Sequence, residues 1–115
     1  MTTRAIDQAV VLQPDGDLCE GAACDELEQE LFSLAEQGRH VIVDLSATRI
    51  VTAHGLGVLA RAKRLAEASG GDLVLCGAAN LQRWLLDVTH LAEVLPVYAS
   101  QAEAAASLGR RAAVA

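Results

Sequence analysis

Apolar residues enter this chain in two rhythms, short continuous runs and repeats of three or four. Ala9-Val10-Val11-Leu12 is a run of strand length. Pro14-Asp15-Gly16-Asp17 behind it is turn chemistry, so Leu18-Cys19 is expected to return as a second short strand and close a hairpin. From Ala22 to Gln37 the period changes. Leu27, Leu31 and Leu34 fall on one side of a helix, and Asp25, Glu26, Glu28, Gln29 and Glu30 make its wet side. Its acidic residues lie toward the N-terminal, positive end of the helix dipole, and Gly38 is suited to end it. His40-Val41-Ile42-Val43-Asp44-Leu45 is the clearest strand, β-branched at its centre as expected for a strand covered on both faces.

The second half repeats the alternation. Gly55 to Ser69 reads as a long helix with Leu56, Leu59, Ala60, Ala62, Leu65 and Ala66 on its apolar side, stopped by Ser69-Gly70-Gly71. Asp72 to Cys76 is another buried strand. Asn80 is placed to cap a short helix in which Leu81, Trp84, Leu85 and Val88 share helical spacing, with Trp84 expected in the core. Val94 to Tyr98 is a short strand, and Pro96, which lacks an N–H, sends it to a sheet edge. Ser100-Gln101-Ala102-Glu103 is a capping box for a last helix through Leu108. Gly109 is expected to end that helix, leaving residues 110–115 as a flexible tail behind a single domain over 1–109. Strands alternating with helices predict an α/β fold: a central mixed sheet of 4–5 strands with parallel crossovers, packed mainly on one side by about four helices.

Composition narrows the functions open to such a domain. Of the 115 residues 52% are hydrophobic, but Trp, Tyr and Phe occur once each, so the core must be aliphatic. No apolar run approaches the ~20 residues of a membrane span, and MTTRAIDQ has no signal-like apolar block, so a cytoplasmic protein is expected. The net charge of −6 repels nucleic acid, and Arg61, Lys63 and Arg64, the densest basic cluster, read as a solvated helix face. Cys19, Cys24 and Cys76 are odd in number and form no Cys-x-x-Cys pair, which argues against a disulfide framework or a zinc site. Cys76 ends an apolar run and reads as a small buried hydrophobe. His40, His54 and His90 lack metal-ligand spacing, and no cofactor is implied.

Chemistry concentrates at IVTAHGLG, residues 50–57, where a strand-side loop meets a helix start with unpaired N–H groups. Gly55-Leu56-Gly57-Val58-Leu59-Ala60 fits a loose G-x-G-x-x-A, but a dinucleotide site needs its glycines directly after the strand. Here Ser46 to His54 intervene, and the next strand ends in Cys76-Gly77 without an acidic residue for a ribose. Asp44, Ser46 and His54 are neighbours in sequence, yet there is no G-x-S-x-G elbow, and Asp44 is placed to cap the strand end. A protein-docking or regulatory surface at the helix start is left.

The series V-I-V-D-L-S (41–46), I-V-T-A-H-G-L-G-V-L (50–59), G-G-D-L-V-L-C-G (70–77) and L-Q-R-W-L-L-D-V-T-H-L (81–91) resembles the STAS domain, a family that includes bacterial anti-sigma-factor antagonists. The resemblance covers nearly the whole chain and implies a STAS-like fold. It also implies a non-enzymatic binding module that switches partners to regulate transcription, with an anti-sigma factor that is also a serine kinase as partner. In that family the helix start usually reads Asp-Ser-Ser/Thr-Gly-Leu, and phosphorylation of the first Ser blocks binding. Carried over, those positions are Thr52, Ala53, His54, Gly55 and Leu56, so the acceptor serine is replaced by Ala53, which has no hydroxyl. In the early hairpin Gly16-Asp17-Leu18 matches the family's Gly-x-Leu, but the Asp that commonly follows is Cys19, with Glu20 one residue further on.

The resemblance therefore implies a partner face of Thr52, Ala53, His54, Gly55 and Leu56 with Asp17, Cys19 and Glu20 beside it. Thr52 is a candidate substitute phosphoacceptor, though capping the helix is its expected role. Two other readings stay open: a STAS subunit of a larger assembly such as a lipid-transporting ABC system, and a domain binding a small ligand or nucleotide at the helix start. Pairing into a homodimer is also left open.

Overall fold

The computed structural model describes residues 1–6, 9–15, 22–49 and 51–114, and of residues 22–24 and 110–114 the backbone alone. Five strands, β1 (Thr2–Ile6), β2 (Ala9–Gln13), β3 (His40–Asp44), β4 (Asp72–Cys76) and β5 (Val97–Tyr98), form one sheet in chain order. β1 runs antiparallel to β2, and every later pairing is parallel. The helices are α1 (Ala22–Glu36), α2 (Ala53–Ala68), α3 (Asn80–Val88) and α4 (Gln101–Val114), with a short 3-10 turn at Leu91–Glu93. The fold is thus the expected mixed α/β sheet with four helices.

Topology puts three helices on one face. Each parallel crossover steps the same way along the sheet, and right-handed crossovers then bring α1, α2 and α3 to the same side. The period-two alternation of the strands matches. Val10, Leu12, Val41, Val43, Leu73 and Leu75 pack with Leu27, Leu31, Leu56, Leu59 and Leu86 beneath those helices. The alternate residues Val11, Ile42, Val74 and Cys76 meet Ala104, Ala105 and Leu108 of α4 on the other face.

Several expectations are corrected. β2 forms its hairpin with β1 and pairs on its other side with β3, while the expected return strand Leu18-Cys19 lies outside the described residues. β1 has no apolar alternation because it is an edge strand open to solvent on both faces. Lys63 is not part of a solvated basic face: it is 5% exposed and pairs with Asp72, while Arg61 reaches Glu28 at 3.5 Å. Gly109 does not stop α4, which continues to Val114; an interior glycine weakens a helix without ending it, and the following Arg and Ala residues are good helix formers. In α3 the cap position is Ala79 rather than Asn80, and the Ala79 N–H donates to Gln82 Oε1 at 2.8 Å. Most unlike expectation, Trp84 is exposed together with Leu81 and Val88, and α3 buries only Gln82 and Leu86.

At the N-terminal edge of the parallel strands two turns meet backbone to backbone. Gly38 adopts φ +72°, and a Cβ there would collide with the Ser69 carbonyl oxygen. That edge is closed by packing. The opposite, C-terminal edge carries the loops and helix starts.

Candidate functional site

All the parallel strands end toward one edge, and α2 and α3 both begin there. β3 hands over to the loop 45–52, which is anchored at several points. The Leu45 N–H donates to the Cys76 carbonyl at 2.9 Å, and buried Thr48 donates through Oγ1 to the Pro14 carbonyl at 3.3 Å. Gln82 Nε2 of α3 donates to the Thr48 carbonyl at 2.8 Å. Gln13 Nε2, at the end of β2, donates to Ser46 Oγ at 3.0 Å. Leu45 and Val51 are buried in the core. A loop pinned at both ends and its middle holds the following helix start in a fixed place.

Asp44 organises the strand ends. Its Oδ1 accepts from the Ser46 N–H at 2.9 Å and its Oδ2 from Gln101 Nε2 at 2.7 Å, as expected for a strand-end cap rather than a triad member. Burial pushes its pKa up, but the hydrogen bonds from Gln101 and Ser46 outweigh that and hold the carboxyl below its ordinary value. Gly77 lies against it, since a Cβ there would stand 2.6 Å from Asp44 Oδ1 at a φ of +70°. Burial, with the Asp44 charge adding to it, pushes the Cys76 thiol up to about 12, so Cys76 is an inert core residue.

The helix start itself presents a small, firmly held face. Thr52 has extended backbone and caps α2, its Oγ1 accepting from the Gly55 N–H at 3.4 Å. Ala53 and His54 are exposed in the first turn, two residues before the sequence pattern begins the helix. Gly55 and Leu56 are buried, and Leu56 belongs to the core rather than to the open face, because the side of α2 that it shares with Leu59 packs on the sheet. Of the positions 52–56, then, Ala53 and His54 are exposed and Thr52 is half-buried. Asp17, Cys19 and Glu20, the hairpin part of the expected face, lie outside the described residues.

Exposed Ser46, Ala47 and Arg49 on the loop and Ala79, Asn80 and Leu81 at the start of α3 share this edge. Sequence spacing gave no sign of the contribution of Gln82 or Gln101, whose partners are 34 and 57 residues away. Among the described residues no group of three or more His, Cys, Asp or Glu side chains could hold a metal ion, and no helix is long and apolar enough to cross a membrane.

Comparison with known proteins gives a consistent set of relatives. A family model described as the STAS domain matches residues 1–104. A curated relative, the anti-sigma F factor antagonist of Paenibacillus polymyxa, is 26% identical over 72 residues. That match takes in 63% of this chain and 62% of the relative's length. The fold is similar to that of an anti-sigma factor antagonist from Mycobacterium paratuberculosis, with a TM-score of 0.80 at 19% identity, covering 93% of this chain and 91% of the other. It is also similar to the Bacillus cell fate determinant SpoIIAA in its phosphorylated form, with a TM-score of 0.71 at 18% identity over 92% and 96% of the two chains.

Proposed function

The chain belongs to the STAS-domain family, and on that premise we infer that it is a protein-binding module of the anti-sigma-factor-antagonist kind whose docking face cannot be switched off by phosphorylation at position 53. The observation that carries this reading is the exposed methyl group of Ala53 in the first turn of α2. In relatives that switch, a serine in this place gains a phosphate of about −1.5 to −2 charges. Here no hydroxyl is available, and the next-nearest one, on Thr52, is engaged as the cap of the helix. The loop is braced by side chains from β2, β3 and α3, and Gln101 of α4 holds the Asp44 carboxylate that serves it, which favours recognition of a preformed surface rather than folding on contact. The partner this reading names is an anti-sigma factor with serine-kinase activity, and the regulated process is transcription. The module itself carries out no chemistry.

Titration calorimetry against a purified anti-sigma-factor kinase tests the face. Wild type should bind, and Ala53→Glu, which sets a fixed negative charge there, should weaken binding by about tenfold or more. Circular dichroism should show an unchanged fold, since Ala53 is exposed. Equal affinity of the two proteins, or no binding by wild type, would remove the reading.

A further inference from the structure

The large apolar side chains exposed among the described residues are Leu81 (69%), Trp84 (58%), Val88 (51%) and Val94 (41%). The first three stand on α3 at positions i, i+3 and i+7, which is one helix face. That helix has nine residues, below the length of about 12–15 at which helices hold in water without packing. Yet its outer side carries the chain's single tryptophan into solvent, while only Gln82 and Leu86 are buried. Contiguous apolar surface of this kind marks a contact site.

Charges beside the stripe indicate what covers it. Arg83 and Asp87 are exposed, one turn apart, on the same flank. The Arg83 Nε donates to the Ala78 carbonyl at 3.3 Å, and the Asp87 carboxylate has no partner among the described residues. We propose that a second copy of this chain closes the face, the two α3 helices packing antiparallel about a two-fold axis near Trp84 and Leu85. That arrangement sets Leu81 of each copy against Val88 of the other and brings the two Trp84 rings together at the axis. It also places Arg83 of each copy beside Asp87 of the other, so two symmetric ion pairs fix the register. A parallel two-fold pairing would put the Arg83 and Asp87 flanks of the two copies on opposite sides of the contact, so neither ion pair would form. The contact is short, since nine residues of helix span about 13 Å, so the dimer is weak and concentration-dependent. This inference stands apart from docking at the start of α2, and Ala53→Glu leaves the dimer unchanged.

Sedimentation velocity over a concentration series, with tryptophan emission recorded on the same samples, tests it. Trp84 is the only tryptophan, so its emission reports this face alone. Mass should rise from one copy toward two while emission moves to shorter wavelength over the same range. Leu81→Lys should weaken the dimer by about tenfold or more. Arg83→Asp and Asp87→Arg should each weaken it, and the double exchange in one chain, or an equal mixture of the two single variants, should restore it. A chain that stays monomeric throughout would overturn the proposal, as would a dimer indifferent to Leu81→Lys or a double exchange that restores nothing. So would substitutions on this stripe that abolish binding of an unlike protein while no dimer forms, because the face would then belong to that partner.

Discussion

Asp44 shows how one side chain sets the geometry of a site it does not itself present. Its two oxygens hold the Ser46 N–H and the Gln101 side chain, fastening the exit of β3 to the start of α4. Burial raises its pKa, the hydrogen bonds from Gln101 and Ser46 lower it further than that, and the net value lies below the ordinary 3.8. As pH falls, the unfolded chain therefore takes up this proton first. The stability that Asp44 contributes is present above about 3.8 and is lost as pH drops through the folded value. Urea unfolding of wild type and Asp44→Asn over this acid range should give a flatter pH dependence for the variant. Identical slopes would show that the carboxylate is not what holds the strand end. Ala53 is the contrasting residue, exposed and structurally undemanding, so that its identity can be read as a property of the surface rather than of the core.

At the scale of elements, α2 is placed by a buried ion pair as well as by its apolar side. Lys63 Nζ reaches the Asp72 carboxylate and also donates to the Leu73 carbonyl at 3.1 Å, while Asp72 Oδ1 accepts from the Leu73 N–H at 2.8 Å. This ties the far half of α2 to the first residues of β4. Lys63→Met should cost about 3–5 kcal/mol in urea unfolding, because it leaves a buried carboxylate without its cation, and adding Asp72→Asn should recover part of the loss. A loss below about 1 kcal/mol would place Asp72 in water instead.

These elements also mark where the sequence is readable. β3, β4, α1 and the body of α2 follow from runs and spacings, because burial on two faces or one leaves a periodic record. β1 left none: Thr2–Ile6 is solvent-exposed and joins the sheet through its backbone. Spacing showed that Leu81, Trp84 and Val88 share a face of α3, but spacing says nothing about which way a face points, and this one points outward. Charge alone points the Lys63 cation to water, and its partner nine residues away becomes visible only once α2 and β4 are packed together. The apolar pattern starts two residues after the helix does, because Thr52, the cap, precedes a stretch, Ala53-His54, that has no buried member.

Over the whole molecule the two edges of the sheet differ in kind. One is closed by glycine turns in backbone contact around Gly38 and Gly71, and the other holds the braced loop and the starts of α2 and α3. With a net charge of −6, the chain suits partners that present basic surface. The central claim is that this edge binds but carries no acceptor at position 53. Its most direct test is mass spectrometry of the intact chain and of its peptides after incubation with a purified anti-sigma-factor kinase and ATP, with wild type and Ala53→Ser side by side. The claim predicts that wild type gains no phosphate, at Thr52 or elsewhere, and stays bound, whereas Ala53→Ser is phosphorylated at residue 53 and released. Phosphate on Thr52 of wild type together with release from the kinase would contradict it.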